Sequence, residues 1–211
     1  MLTVLVDYDS GNLHSAEKAF QRMARETGAG TVLVSDRAED VARADRIVLP
    51  GDGAFPACRA ALLAKPGLDQ ALREAVDARA VPFMGICVGM QMLATLGTEY
   101  RDTEGLGWVP GRVVGIDAPA PLKVPHMGWN DLVIDHPHPV LAGVATGDHA
   151  YFVHSYHFVV DDPAHRLAHV DYAGDVTAIV GRGTVVGTQF HPEKSQATGL
   201  RIIANFLAWR P

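Results

Sequence analysis

Short apolar runs alternate with amphipathic stretches through the first half of the chain. Leu2–Asp7 reads as a buried strand, and Leu13–Arg25 as a helix with Leu13, Ala16, Phe20 and Met23 on one side. Thr31–Val34 and Arg46–Leu49 are further strand runs. A helical pattern runs from Ala57 to Ala78, interrupted at Pro66-Gly67, and is followed by a strand at Val81–Ile86 and a helix at Met90–Leu96. This alternation predicts an α/β fold: a doubly wound, mostly parallel sheet with helices on both faces. In such sheets the chemistry gathers at the carboxyl ends of the strands.

The second half changes character. Arg112–Ile116, Asp131–Ile134, Tyr151–Val153, Phe158–Val160, Ala168–Tyr172, Val176–Gly181 and Val185–Phe190 are short strand-like runs separated by turns, and Ala197–Trp209 closes as a helix. With no repeat and no low-complexity linker, the pattern predicts one domain over residues 1–211, extended by antiparallel strands.

Composition narrows the partners. The 18 basic and 24 acidic side chains give a net charge of −6, and the four lysines (Lys18, Lys65, Lys123, Lys194) are scattered. Neutralising duplex phosphates needs clustered Lys and Arg, so a nucleic-acid partner is not expected. Ala80–Thr98 is 19 residues without a charge. Pro82, Gly85, Gly89 and Gln91 interrupt it, so it reads as a buried strand turning into a buried helix rather than a membrane span. Met1 leads directly into Leu2–Val6 without a basic leader, and two cysteines make no disulfide framework. A cytoplasmic compartment is expected.

Gly85-Ile86-Cys87-Val88-Gly89 carries the strongest chemical signal. It matches the strand–turn–helix elbow that presents a nucleophile, with cysteine in the serine place. The glycines permit a tight turn, and the positive end of a helix favours thiolate. Cys58 lacks this setting and reads as a small buried hydrophobe. A cysteine nucleophile needs a base and the base needs an orienter. Val185–Phe190 ends in His191-Pro192-Glu193, and on an extended backbone His191 and Glu193 share a face. The Pro50-Gly51-Asp52-Gly53 turn follows a strand and lets backbone N–H groups approach a ligand, as an oxyanion hole requires. It contains no phosphate-binding fingerprint. Asn12, after Ser10-Gly11, reads as the cap of the first helix. His154 and His157, and the His136-Pro137-His138 turn, make poor chelates, so neither metal nor cofactor is expected.

Taken together, G-I-C-V-G-M-Q, Q-F-H-P-E-K-S and P-G-D-G resemble the class I glutamine amidotransferases. The likeness runs from Val4 to the final helix. The segments D-Y-D-S-G-N-L, P-H-M-G-W-N and H-S-Y look like the glutaminase subunits of imidazole glycerol phosphate synthase. The resemblance implies a Cys87, His191, Glu193 triad that hydrolyses glutamine to glutamate and ammonia. It further implies backbone donors at Asp52 and Val88 for the oxyanion, and glutamine contacts at Gly53, Gln91, Ser155 and Tyr156. It places Tyr8, Asn12, His126, Trp129 and Asn130 toward a partner, a (β/α)₈-barrel cyclase that takes the ammonia through an internal passage. The loop commonly carries an apolar residue where this chain has Asp52, whose carboxylate is expected to point away from the oxyanion. Two rival readings are a glutaminase for anthranilate, aminodeoxychorismate or pyridoxal phosphate synthesis, and a catalytically silent module on the same fold.

Overall fold

Leu2–Val6, the first apolar run, lies inside an eight-stranded sheet in the computed structural model, which describes residues 1–211. The strands are β1 (Leu2–Val6), β2 (Thr31–Ser35), β3 (Arg46–Gly51), β4 (Phe83–Cys87), β5 (Leu96–Gly97), β6 (Thr103–Glu104), β7 (Gly111–Gly115), β8 (His126–Asp131), β9 (Val133–Ile134), β10 (His149–His154), β11 (Tyr156–Val160), β12 (Arg166–Asp171), β13 (Asp175–Arg182) and β14 (Val185–Thr188). The helices are α1 (Leu13–Thr27), α2 (Ala38–Ala42), α3 (Phe55–Ala64), α4 (Leu68–Arg73), α5 (Val88–Gln91) and α6 (Gln196–Ala208). No helix is long and apolar enough to cross a membrane.

The main sheet runs β2-β1-β3-β4-β14-β13-β12-β9. β2, β1, β3, β4 and β14 are parallel, and β13, β12 and β9 continue antiparallel. Val4, Leu5, Val6, Ile47, Val48, Leu49, Phe83 and Met84 are fully buried. Residues of both strand faces are thus packed, as a parallel sheet covered on two sides demands. α1 and α6 lie against each other, with Phe20 and Phe206 meeting edge to face at 6.4 Å between centroids. Two smaller sheets, β10-β8 and β11-β7-β5-β6, complete the fold, and the β10–β11 connection reaches the carboxyl end of β4.

Several elements differ from expectation. The helix expected over Met90–Leu96 stops at Gln91. Beyond it, the carbonyls of Met92, Leu93 and Ala94 accept from the N–H groups of Leu106, Val109 and Gly107 at 2.7–3.0 Å. A distant segment has taken the bonds that a continuing helix would use. The strand β8 begins at His126, earlier than the Asp131–Ile134 run, which divides at Leu132 into β8 and β9. The Ala57–Ala78 pattern resolves into α3, α4 and one π-type turn at Glu74–Ala78, with the break at Pro66-Gly67 as expected.

Candidate active site

The parallel strands deliver four loops to one edge: Asp7–Asn12 after β1, Gly51–Ala54 after β3, Cys87 at the end of β4 and His191 beyond β14. β1 has β2 on one side and β3 on the other, so the chain winds in opposite directions from this point. That is where open α/β sheets hold their ligands.

Cys87 occupies a backbone conformation of φ 55° and ψ −113°, costly for a residue with a Cβ and typical of an elbow that holds a nucleophile out from a turn. The flanking glycines are sterically required. A Cβ on Gly89 would lie 1.8 Å from the Leu49 carbonyl oxygen, and one on Gly85 would lie 2.4 Å from the Gly89 carbonyl oxygen. Val88 opens α5, so its N–H is one of those without an intrahelical partner.

His191 sits beyond the neighbouring strand end, buried, with backbone φ −90° and ψ 101°. Its N–H donates to the Tyr151 carbonyl at 3.2 Å, and its own carbonyl accepts from the Ser195 hydroxyl at 2.7 Å. The imidazole Nδ1 bonds to Glu193 Oε1 at 2.9 Å. The two do not share a strand face as expected. Pro192–Lys194 forms a 3₁₀ turn that folds the carboxylate back under the ring. Burial opposes a charge on His191. The proximity of Cys87 and the hydrogen bond to the Glu193 carboxylate outweigh it and push the imidazole up to about 10. Cys87 and His191 are within coupling range without the alignment of a finished hydrogen bond, which commonly tightens only around substrate.

Asn12 is not the helix cap that its position before α1 implied. It lies at φ 65° and caps nothing; its side-chain amide donates instead to Glu193 Oε1 at 2.6 Å. Tyr8 and His126, expected toward a partner, are both buried within this chain. Tyr8 donates its hydroxyl to the Pro50 carbonyl at 2.6 Å. His126 stacks between Phe152 and Tyr172, bonds His154 at 2.9 Å, and is lowered by burial to about 4. Asn130 is half-buried against His126 and the Asp171 carbonyl. Trp129, 48% exposed, and Met127, 62% exposed, face outward from β8.

On its open side Cys87 faces a cavity of about 280 Å³ lined by Asp52, Gly53, Val88, Gln91, Glu99, Ser155 and Tyr156 among others. Gln91 is buried, its amide donating to the Tyr156 carbonyl at 3.0 Å and to Gln189 Oε1 at 3.1 Å. Neither the Asp52 nor the Gly53 N–H bonds to another protein group. The Asp52 carboxylate lies over Gly11, where a Cβ would meet its Oδ2 at 3.0 Å. Sequence reasoning missed two contributors. Glu99 is buried at the cavity wall with one oxygen accepting from the Phe55 N–H at 2.7 Å. Gln189 is wholly buried and reaches the Cys87 sulfur at 3.8 Å. Gln189 stood beside the His191 motif and could have been found there, whereas nothing near Glu99 marked it. A second open cavity, about 340 Å³ beside Trp129 and the start of α6, brings no nucleophile and base together.

A strained cysteine elbow, a histidine held by a glutamate, and free backbone donors on a doubly wound sheet define a class of hydrolase. The class I glutamine amidotransferase family matches residues 4–209, and the chain belongs to it. Two solved structures share the fold at 20% identity. One, described as a glutamine amidotransferase, has a TM-score of 0.73 and 99% coverage of both chains. The other, a putative GMP synthase component from Thermoplasma acidophilum, has a TM-score of 0.69, covering 99% of this chain and 92% of that one. Within the family, the chain is 74% identical to the imidazole glycerol phosphate synthase subunit HisH of Cereibacter sphaeroides, over the full length of both. It is 68% identical to the same subunit of Ruegeria pomeroyi, again over both full lengths. It belongs with the HisH subunits.

Proposed function

We propose that this chain is the glutaminase of an imidazole glycerol phosphate synthase in histidine biosynthesis, acting in the cytoplasm. The observation that carries the reading is Cys87, held at a positive φ beside a histidine that Glu193 holds by a 2.9 Å hydrogen bond. The Cys87 sulfur attacks the side-chain amide carbon of glutamine. The oxyanion receives the backbone N–H groups of Asp52 and Val88, and His191 protonates the departing nitrogen as ammonia. Water activated by His191 then hydrolyses the thioester, releasing glutamate and restoring the thiol. Glu193 orients the imidazole and supports its charge without taking a proton. Gly53, Gln91, Ser155 and Tyr156 hold the glutamine, and the Glu99 carboxylate faces its α-ammonium group.

In water at neutral pH ammonia is mostly protonated and no longer a nucleophile, so its acceptor must be close. The reading supplies one: a (β/α)₈-barrel cyclase subunit, docked over the exposed Met127 and Trp129 beside Asn130, with an internal passage between the two. The test is glutamate release by the chain alone and mixed with that cyclase and its ligand. Glutamine hydrolysis that rises strongly with the loaded cyclase is expected. No hydrolysis under any of these conditions would remove the glutaminase assignment.

A further inference from the structure

Two side chains outside the triad grip the peptides on either side of Gly51–Asp52. Tyr8, wholly buried just after β1, donates its hydroxyl to the Pro50 carbonyl at 2.6 Å. Cys58, near the start of α3, donates its thiol to the Asp52 carbonyl at 3.5 Å. These carbonyls belong to the Pro50–Gly51 and Asp52–Gly53 peptides. The peptide between them carries the Asp52 N–H, which bonds to no other protein group.

The packing is tight at Gly51 and an ordinary contact at Gly53. A Cβ on Gly51 would lie 2.9 Å from the Tyr8 hydroxyl, and one on Gly53 would lie 4.0 Å from Cys58 Sγ. Burial pushes the Cys58 thiol up to about 11 and the Tyr8 phenol well above its ordinary value, so both remain protonated donors at neutral pH. Each also lies against the other, which joins the two grips beneath the loop.

We propose that Tyr8 and Cys58 are positioning residues for the oxyanion peptide: they hold the peptides on either side of Gly51–Asp52, and so set where the Asp52 N–H stands relative to the reacting carbonyl. This rests on the glutaminase reading of the site. A donor must sit about 3 Å from where the oxyanion forms, not merely nearby, so loosening a flank weakens the transition state more than substrate binding.

The test is steady-state glutamine hydrolysis by the complex with the cyclase subunit, comparing wild type, Tyr8→Phe, Cys58→Ala and Cys58→Ser. Alkylation of Cys87 by iodoacetamide is followed in parallel. Tyr8→Phe keeps the ring and removes the donor; Cys58→Ser keeps a donor that Cys58→Ala removes. The expected result is a kcat lowered about five- to tenfold in Tyr8→Phe and Cys58→Ala, the worth of one hydrogen bond. KM and Cys87 alkylation should hardly change, and Cys58→Ser should recover most of the loss. Wild-type kcat in both Tyr8→Phe and Cys58→Ala, or a serine variant no better than the alanine one, overturns the proposal. If Tyr8→Phe does not fold, the Cys58 pair decides alone. An inactive wild-type complex would instead overturn the glutaminase reading, so the two failures are distinct.

Discussion

Asn12 donates its side-chain amide to Glu193 Oε1 at 2.6 Å, onto the same oxygen that binds His191 Nδ1 at 2.9 Å. The other carboxylate oxygen of Glu193 is buried without a partner, so the orientation of the carboxylate hangs on this one shared atom. Asn12→Ala should therefore lower kcat for glutamine about fivefold, the scale of a single hydrogen bond, and less than Glu193→Gln does. Because Asn12 caps nothing, the melting temperature should move little. A large loss of stability with normal kcat would return Asn12 to a purely structural role.

Cys87→Ala should abolish glutamate release, since no other thiol faces the cavity. Ammonium salts supplied directly should still support product formation by the cyclase complex, whose acceptor site is separate. Residual hydrolysis near wild type in this variant would place the nucleophile elsewhere.

Glu99 turns one oxygen to the start of α3 and lines the cavity. Glu99→Gln keeps an oxygen that can accept from the Phe55 N–H but removes the charge that faces an α-ammonium. The expected outcome is a KM for glutamine raised about tenfold or more, with kcat little altered, as loss of a charged hydrogen bond implies. Steady-state kinetics with glutamine decides it, and an unchanged KM would remove Glu99 from substrate recognition.

Stability should fall on the acid side through two buried histidines. Burial lowers His126 to about 4 and His154 to about 3, against an unfolded value of about 6.5. The native state holds both neutral while the unfolded chain takes up protons, so stability present above about 6.5 is lost as pH falls toward 4. Each proton contributes at most about 1.4 kcal/mol per pH unit. His126→Phe, which keeps a ring between Phe152 and Tyr172, should flatten that acid slope by about one proton. Urea unfolding at several pH values between about 6.5 and 4.5 measures it, and an unchanged slope would mean that His126 titrates alike in both states.

Much of this was written in local pattern. The alternation of apolar runs announced the parallel half of the sheet, because strands buried on both faces leave long apolar signatures. The elbow was readable because only glycine fits at 85 and 89, against the Gly89 and Leu49 carbonyls. What stayed hidden depended on contacts distant in sequence. Nothing between Met90 and Leu96 announces that residues 105–109 will claim their carbonyls. Asn12 before a helix has the chemistry of a cap, and only the arrival of Glu193, 181 residues later, gives its amide a better acceptor. Cys58 looked like core, whereas Tyr8 was expected toward a partner; both are buried, and their donors matter because of the carbonyls they happen to meet.

The placement of β14 also bears on the order in which activity appears. Cys87 ends β4, while its base follows the strand paired beside it, further along the chain than Gln189, which is itself 102 residues after the cysteine. A chain emerging from the ribosome amino end first carries a complete elbow long before it possesses His191, and the last helix to emerge, α6, packs directly on the turn that carries Glu193. Such long-range pairing is slow to close. Unfinished chains, and chains that have lost their carboxyl-terminal segment to proteolysis, therefore bear the thiol without its base, and neither consumes glutamine before a whole subunit exists to deliver the ammonia.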